Sequence, residues 1–131
     1  MKNSKRNNKL KKFIFQGSVI IVIGLVVTFS GINIWIKTEA NSIAKEASEV
    51  FQKDKIESLL AKLDSDDYSL KEKNHAIWAL GVLKDKRALP KLESLATGQE
   101  CNHEKELCQR EIEKAILKIK GEFRGSWQAS N

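Results

Sequence analysis

Residues that break helices and residues that carry chemistry are both scarce in this sequence. Proline occurs once, at Pro90, and cysteine twice among 131 residues. A single proline leaves few forced helix breaks, since proline removes a backbone hydrogen bond. We recognise no Ser/His/Asp set, no paired-carboxylate site and no phosphate-binding glycine loop, and we therefore expect neither an enzyme nor a cofactor.

No acidic residue occurs before Glu39. The chain has 23 basic and 17 acidic residues, a formal net charge of +6. The excess lies in a basic tail, residues 1–12, with Lys2, Lys5, Arg6, Lys9, Lys11 and Lys12. The remaining basic residues balance the acidic ones, so the globular part has no net basic charge and we expect no nucleic-acid partner. The tail is expected near anionic lipid headgroups.

Charge of either sign is absent from residues 13–36, which are apolar for most of their length. As a helix this segment is about 36 Å long, against a hydrocarbon core of about 30 Å. Because only a helix satisfies its own backbone in lipid, the segment is predicted to be one transmembrane helix. This helix and the basic tail are therefore both expected to contact membrane lipid.

The charge asymmetry predicts which way the chain faces. Positive charge flanking a span stays on the cytoplasmic side. We therefore expect a single-pass protein of the cytoplasmic (inner) membrane, with its N-terminus inside and its C-terminal domain periplasmic or extracellular. A cleaved leader is the alternative, because Thr38-Glu39-Ala40 has small residues at the −3 and −1 positions of a cleavage site, although the apolar run is longer than a typical leader core.

Small residues line one face of the predicted span. They are Gly17, Gly24, Thr28 and Gly31, at steps of seven, four and three. Such a stripe lets a second helix approach closely, which makes it a candidate helix-packing site in the membrane. The alternative is that glycine is simply frequent in membrane helices.

The rest of the chain reads as all-α. Residues 37–53 are predicted to form a helical stalk, residues 54–121 a helical domain and residues 122–131 a tail. Apolar residues at helical spacing mark four helices in the domain. The first contains Ile56 to Leu63, and the others are Leu70–Leu83, Lys86–Ala96 and about Glu104–Lys120. Within the second, Gly81 is the expected point of close packing.

The domain contains an internal repeat of 36 residues. At that offset, residues 55–60 (KIESLL) align with residues 91–96 (KLESLA), and Ala79-Leu80 aligns with Ala115-Ile116. One offset relates both kinds of helix, so the matches support each other. Helix pairs that recur with a period of 20–50 residues indicate an α-solenoid.

The segment HAIWALGVLKDKRALPKLESL, residues 75–95, resembles the HEAT-like repeat family in its short, phycobilisome-lyase-like form. The positions that carry the resemblance are Ala76, Ile77, Ala79, Leu80, Gly81, Leu83, Asp85, Arg87, Ala88, Pro90 and Leu92. The resemblance covers residues 54–121 and implies an α-α superhelix of about two repeats that binds other proteins. It implies no shared catalytic residues.

Two cysteines, Cys101 and Cys108, are candidates for a disulfide if the domain lies outside the cytoplasm. Metal binding by Cys101, His103 and Cys108, with His75 as a distant fourth ligand, matches no common zinc spacing, and we predict no metal site. The acidic turn of residues 64–69 resembles the start of a calcium loop but lacks its glycine and its final carboxylate, so capping explains it better.

Trp78 is a candidate anchor for a protein partner, or it packs against the neighbouring repeat. The main functional hypothesis is a membrane-anchored HEAT-like module that acts as a protein–protein interaction scaffold on the extracytoplasmic side. The alternative is a small accessory subunit of a membrane complex that acts through its transmembrane helix. An enzyme such as a lyase is suggested only by the family's name, which is a weak argument.

Overall fold

A computed structural model of the chain describes residues 2–99 and 106–123, with side chains from Phe15 onward. Every regular element in these ranges is helical, which confirms the all-α prediction. The elements are α1 (Lys2–Phe51), α2 (Lys55–Asp64), α3 (Leu70–Leu83), a 3-10 turn (Lys86–Ala88), α4 (Leu89–Leu95) and α5 (Gln109–Lys120).

The chain divides into two compact units, Met1–Trp35 and Ile36–Asn131. The first unit holds the apolar segment, whose large side chains from Phe15 onward are exposed to the surroundings. One helix near the N-terminus is long and apolar enough to cross a membrane, by length and composition. Burial of these side chains in lipid would remove the exposure.

The second unit is a helical domain with one hydrophobic core. The fully buried large side chains of this core are Leu59, Ile77, Leu80, Leu92 and Ile112. α3 lies at its centre, since it contacts both α2 and α5, while α4 packs on α5. α2 therefore packs on α3 and α4 packs on α5, and the contact between α3 and α5 joins the two pairs.

Polar residues at the ends of α2 and α3 set where these helices begin. Asp54 caps α2 by accepting a hydrogen bond from the backbone N–H of Ile56, at 2.8 Å. Ser69 and Glu72 form a capping box at the start of α3, in which the Glu72 carboxylate accepts from the Ser69 backbone N–H at 2.9 Å. These bonds satisfy donors that the first turn of a helix leaves unpaired, and they place α3 at its predicted bounds.

The last two predicted helices are shorter than expected. The predicted helix from Lys86 to Ala96 begins as a 3-10 turn and ends at Leu95, since Ala96 is an exposed C-cap with extended backbone. α5 begins only at Gln109, because the backbone N–H of Cys108 donates to Asn74 Oδ1 at 3.0 Å and its ψ angle of 109° is not helical. The predicted start near Glu104 lies outside the described residues, but the helix is absent from residues 106–108.

α3 and α5 approach most closely at Gly81. A Cβ atom built on Gly81 would lie 2.9 Å from the Cα atom and 3.0 Å from the Cβ atom of Ala115. These distances are shorter than van der Waals contact, so no larger residue fits without moving a helix. The prediction that Gly81 is a close-packing point is therefore confirmed.

Ser58 of α2 is a weak point of the core. Its side chain is fully buried, and among the described residues its Oγ atom has no hydrogen-bond partner. Because a buried hydroxyl without a partner costs free energy, we expect Ser58→Ala to raise the free energy of unfolding by about 1 kcal/mol. Urea unfolding of the two proteins measures the difference.

The repeat supplies a matched control for this change. Ser94 lies 36 residues after Ser58, is exposed, and donates from Oγ to the Lys91 carbonyl at 2.7 Å. We expect Ser94→Ala to change the stability little, because the freed carbonyl meets water. A loss of stability in Ser58→Ala would show that the hydroxyl has a partner after all.

Candidate interaction face of the helical domain

Trp78 lies on the outer side of α3. Its indole is half-buried and packs against the edge of the core, while its immediate helix neighbours Ile77 and Ala79 are fully buried. The side chain therefore combines packing with partial exposure. This is the geometry of a residue that could contact a partner without leaving the core.

Charged side chains lie at the contact between α3 and α5. We call this surface the α3–α5 seam, and define it by Gly81, Lys84, Glu111, Lys114 and Lys118. The last three are spaced i, i+3, i+7 along α5, so they lie on one side of that helix. The Cδ atom of Lys118 lies 3.6 Å from the position of a Cβ on Gly81.

Positive charge dominates the seam. The ammonium of Lys114 pairs with the Glu111 carboxylate at 3.0 Å. Burial lowers the pKa of Lys118; Glu111 opposes this shift, and the charges of Lys114 and Lys84 add to it. The seam therefore holds three lysines against one carboxylate.

Arg87 joins the N-cap residues of α2 and of the 3-10 turn. Its guanidinium donates to Asp85 at 2.9 Å and to Asp54 at 2.8 Å, and both aspartates are helix N-caps. The two acceptors raise the pKa of Arg87 above its ordinary value, Asp85 more than Asp54. This bridge connects the first helix of one pair to the turn that opens the next.

The same contacts predict how stability depends on pH. The Arg87 side chain and backbone N–H lower the pKa of Asp85, and the Ile56 N–H and Arg87 lower the pKa of Asp54, both from 3.8. A carboxyl with a lowered pKa adds stability above its unfolded pKa and loses it as the pH falls through the folded value. We therefore expect the domain to lose stability as the pH falls below about 4.

Replacement of Arg87 tests this account. We expect Arg87→Leu to be less stable than the parent at pH 7, and the difference to shrink as the pH falls below about 4. Chemical unfolding at several pH values between 3 and 7 measures it. A difference that stays constant across that range would contradict the assignment.

The cysteine prediction falls partly outside the described residues, since Cys101 lies there. Cys108 is the N-cap residue of α5 and is 4% exposed. The side chain of Gln109 contacts the end of α4, with Oε1 accepting from the Thr97 N–H at 2.7 Å and Nε2 donating to the Leu95 carbonyl at 3.2 Å. The disulfide therefore stays a prediction.

A bridge between Cys101 and Cys108 would close a short loop and add about 2.5 kcal/mol by loop entropy. We expect mass spectrometry of protein purified from its native compartment, alkylated before digestion, to show a peptide pair linked by this bridge. Two alkylated thiols would reject it.

The sequence also raised a metal site and a calcium loop, which involve His75, His103 and the acidic turn of residues 64–69. Within residues 2–99 and 106–123, no three His, Cys, Asp or Glu side chains come together in a way that could hold a metal ion. His103 lies outside these ranges, and His75 is exposed on α3. In the acidic turn, Asp64 pairs with Lys91, and Asp67 accepts from the Ser65 hydroxyl at 3.2 Å.

The small-residue stripe of the first unit is open. A Cβ atom on Gly17, Gly24 or Gly31 would meet nothing within 4 Å. Thr28 is exposed and donates from its hydroxyl to the Gly24 carbonyl at 3.0 Å, within its own helix. The described residues of this unit leave room for another helix along the stripe.

The sequence analysis missed the contribution of α1 to the core. Ala40, Ala44 and Ala47 are buried and Ile43 packs against the same core, although residues 37–53 were expected to form a stalk. The 36-residue offset could have revealed this. It relates the set Ala40, Ile43, Ala44, Ala47 to Ala76, Ala79, Leu80, Leu83 of α3 and then to Ile112, Ala115, Ile116, Ile119 of α5.

All twelve side chains of these three sets are buried or pack against the core. The last part of α1 thus repeats the inward-facing pattern of α3 and α5. The domain therefore begins at Ile36, with the helix that ends at Phe51 as its first member.

Comparisons of the chain with protein-family models, with curated proteins and with solved structures find no match. The resemblance to HEAT-like repeats consequently remains a prediction based on residues 75–95.

Proposed function

We propose that this chain is a membrane-anchored interaction module whose helical domain, from Ile36 onward, binds another protein on the extracytoplasmic side of the cytoplasmic membrane. The observation that carries the proposal is the combination of two units. One is an exposed apolar helix of membrane length, and the other is a domain of repeated helix pairs with a half-exposed tryptophan on one face. An anchor would raise the effective concentration of the domain near a partner in the same membrane.

Crosslinking in intact membranes tests the proposal. A photo-crosslinking amino acid is placed at exposed positions of the domain, such as Lys71 and His75 on α3. We expect one protein to crosslink reproducibly from this face. As a control, the same amino acid at Lys53, which is exposed in the turn between α1 and α2, should give a different or weaker pattern. Absence of any reproducible crosslinked protein would contradict the proposal.

A second candidate is an accessory subunit that acts through its membrane helix, and the open stripe of Gly17, Gly24 and Gly31 favours it. Replacement of residues 13–36 by an unrelated apolar helix separates the two functions. Retained crosslinking and retained function support the domain as the active part. Loss of function with a correctly inserted, folded domain would favour the helix.

A further inference from the structure

We propose that the peptide bond between Ala40 and Asn41 is a signal-peptidase site that the helical domain protects while it is folded, so that unfolding releases the domain from its anchor. The bond follows the last residue of the apolar segment, Ile36, by four residues, and Thr38 and Ala40 are the small residues at its −3 and −1 positions. Cleavage adds water across the bond and leaves a carboxylate on Ala40 and an amine on Asn41. The inference rests on the proposed function in one respect, since it requires an outward-facing domain.

The backbone around this bond is helical. Residues 38–41 lie inside α1, whereas a protease cuts a locally opened, extended segment of its substrate. The side chain of Asn41 adds a contact on each side, because Nδ2 donates to the Lys37 carbonyl at 3.0 Å and Oδ1 accepts from the Lys55 ammonium at 3.1 Å. Lys55 belongs to α2, so the residue after the bond is attached to a second helix.

The side chain before the bond is buried. Ala40 is 0% exposed and belongs to the same hydrophobic core as Ile77 and Leu80 of α3. A peptidase that selects a small residue at the −1 position has to contact that side chain, and the folded domain covers it. Ala44 and Ala47, further along the same side of α1, are buried as well, so exposure of Ala40 requires this part of α1 to leave the core.

Cleavage is therefore coupled to the stability of the domain. When opening and closing are fast relative to cleavage, the cleavage rate follows the population of the open form. Thr38, at the −3 position, is exposed in the folded chain. The helical backbone and the burial of Ala40, rather than burial of the whole motif, thus protect the site.

Purified signal peptidase tests the proposal on the full chain in detergent micelles. We expect the parent to stay intact. Ala47→Glu places a charge in the core, seven residues beyond Ala40 and outside the cleavage motif, and should raise the cleavage rate at least tenfold. Mass spectrometry should then show a product that begins at Asn41. Equal cleavage rates for the two proteins, or cleavage only at other bonds, would overturn the proposal.

Two further variants locate the effect. Val50→Glu introduces the same charge on the same helix, at a position that is 61% exposed, and should leave the chain as resistant as the parent. Thr38→Lys in combination with Ala47→Glu places a long side chain at the −3 position, which a site for small residues rejects, and should prevent cleavage after Ala40. Cleavage of Val50→Glu at the rate of Ala47→Glu, or cleavage of the double variant after Ala40, would overturn the assignment.

The membrane crosslinking experiment separates this inference from the proposed function. If the parent chain crosslinks a protein but Ala47→Glu resists the peptidase, the cleavage site is wrong and the proposed function stands. If Ala47→Glu is cleaved after Ala40 but the parent chain crosslinks no protein, the proposed interaction fails and the protected site stands.

Discussion

Ala44→Glu is expected to unfold the helical domain. Ala44 is fully buried, between Ala40 and Ala47 on the inward side of α1. A glutamate here would place a long side chain and a charge where a methyl group fits. Burial of an unpaired charge costs several kcal/mol, which is comparable to the whole stability of a small domain. Hydrogen exchange at the amides of α3 and α5, in the full chain in detergent micelles, should lose its protection.

Ser42→Glu is the matched control, because Ser42 is exposed two residues earlier in the same helix. The same charge and a similar helix propensity are introduced there, so protection in α3 and α5 should stay as in the parent. If both variants keep their protection, the last part of α1 is a stalk, as the sequence analysis expected. Hydrogen exchange of the two variants therefore shows whether the domain starts near residue 36 or near residue 54.

Gly81→Ala is expected to have the second large effect on stability. The direction of the change in stability tests how closely α3 and α5 pack. Glycine to alanine inside a helix normally stabilises a protein by about 1 kcal/mol, since alanine is the better helix former. At Gly81 the new methyl group would lie 2.9 Å from the Ala115 Cα atom, which belongs to the backbone and cannot rotate away. Overpacking of this kind costs about 1–3 kcal/mol. We expect a net loss of stability in thermal unfolding followed by circular dichroism.

A second substitution tests the reason for this loss. Ala115→Gly removes the Cβ atom that would lie 3.0 Å from the new methyl group but leaves the Cα atom in place. We expect the double variant to be more stable than the sum of the two single changes predicts, but by less than the loss that Gly81→Ala causes. A double-mutant cycle measures this coupling free energy. Stabilisation by Gly81→Ala alone would mean that α3 and α5 lie further apart than described.

The bounds of α3 could be read from the sequence because local signals agreed there. Ser69 and Glu72 have the spacing of a capping box, and apolar residues recur at helical spacing up to Leu83. The same holds for the end of α5, where Gly121 takes the left-handed conformation that glycine favours, with a φ angle of 78°. Gly81 was also predictable, because a glycine inside a strong helix usually marks a close contact.

Other features depended on contacts between distant residues, which periodicity does not show. The start of α5 is displaced because Asn74, 34 residues earlier, accepts the hydrogen bond of the Cys108 N–H. The Arg87 bridge joins aspartates that are 31 residues apart in the chain. The seam likewise depends on the packing of α3 on α5. Its lysines could therefore not be distinguished in the sequence from the many other lysines of the chain.

The alanines of α1 were overlooked for a different reason. Alanine is both a good helix former and a small core residue, so the pattern of Ala40, Ala44 and Ala47 fits a solvated stalk as well as a buried face. Only the 36-residue offset to Ala76, Leu80 and Leu83 distinguishes the two, and the sequence analysis applied that offset only within residues 54–121.

Protease accessibility of the C-terminus in intact spheroplasts tests the central claim most directly. The chain carries an epitope tag after Asn131, and the membranes are washed before the protease is added. The account predicts that the tag stays with the membranes and is digested without detergent, because an apolar helix anchors a domain that faces outward. A tag that washes off with the soluble proteins, or that resists the protease until detergent opens the membrane, would contradict it.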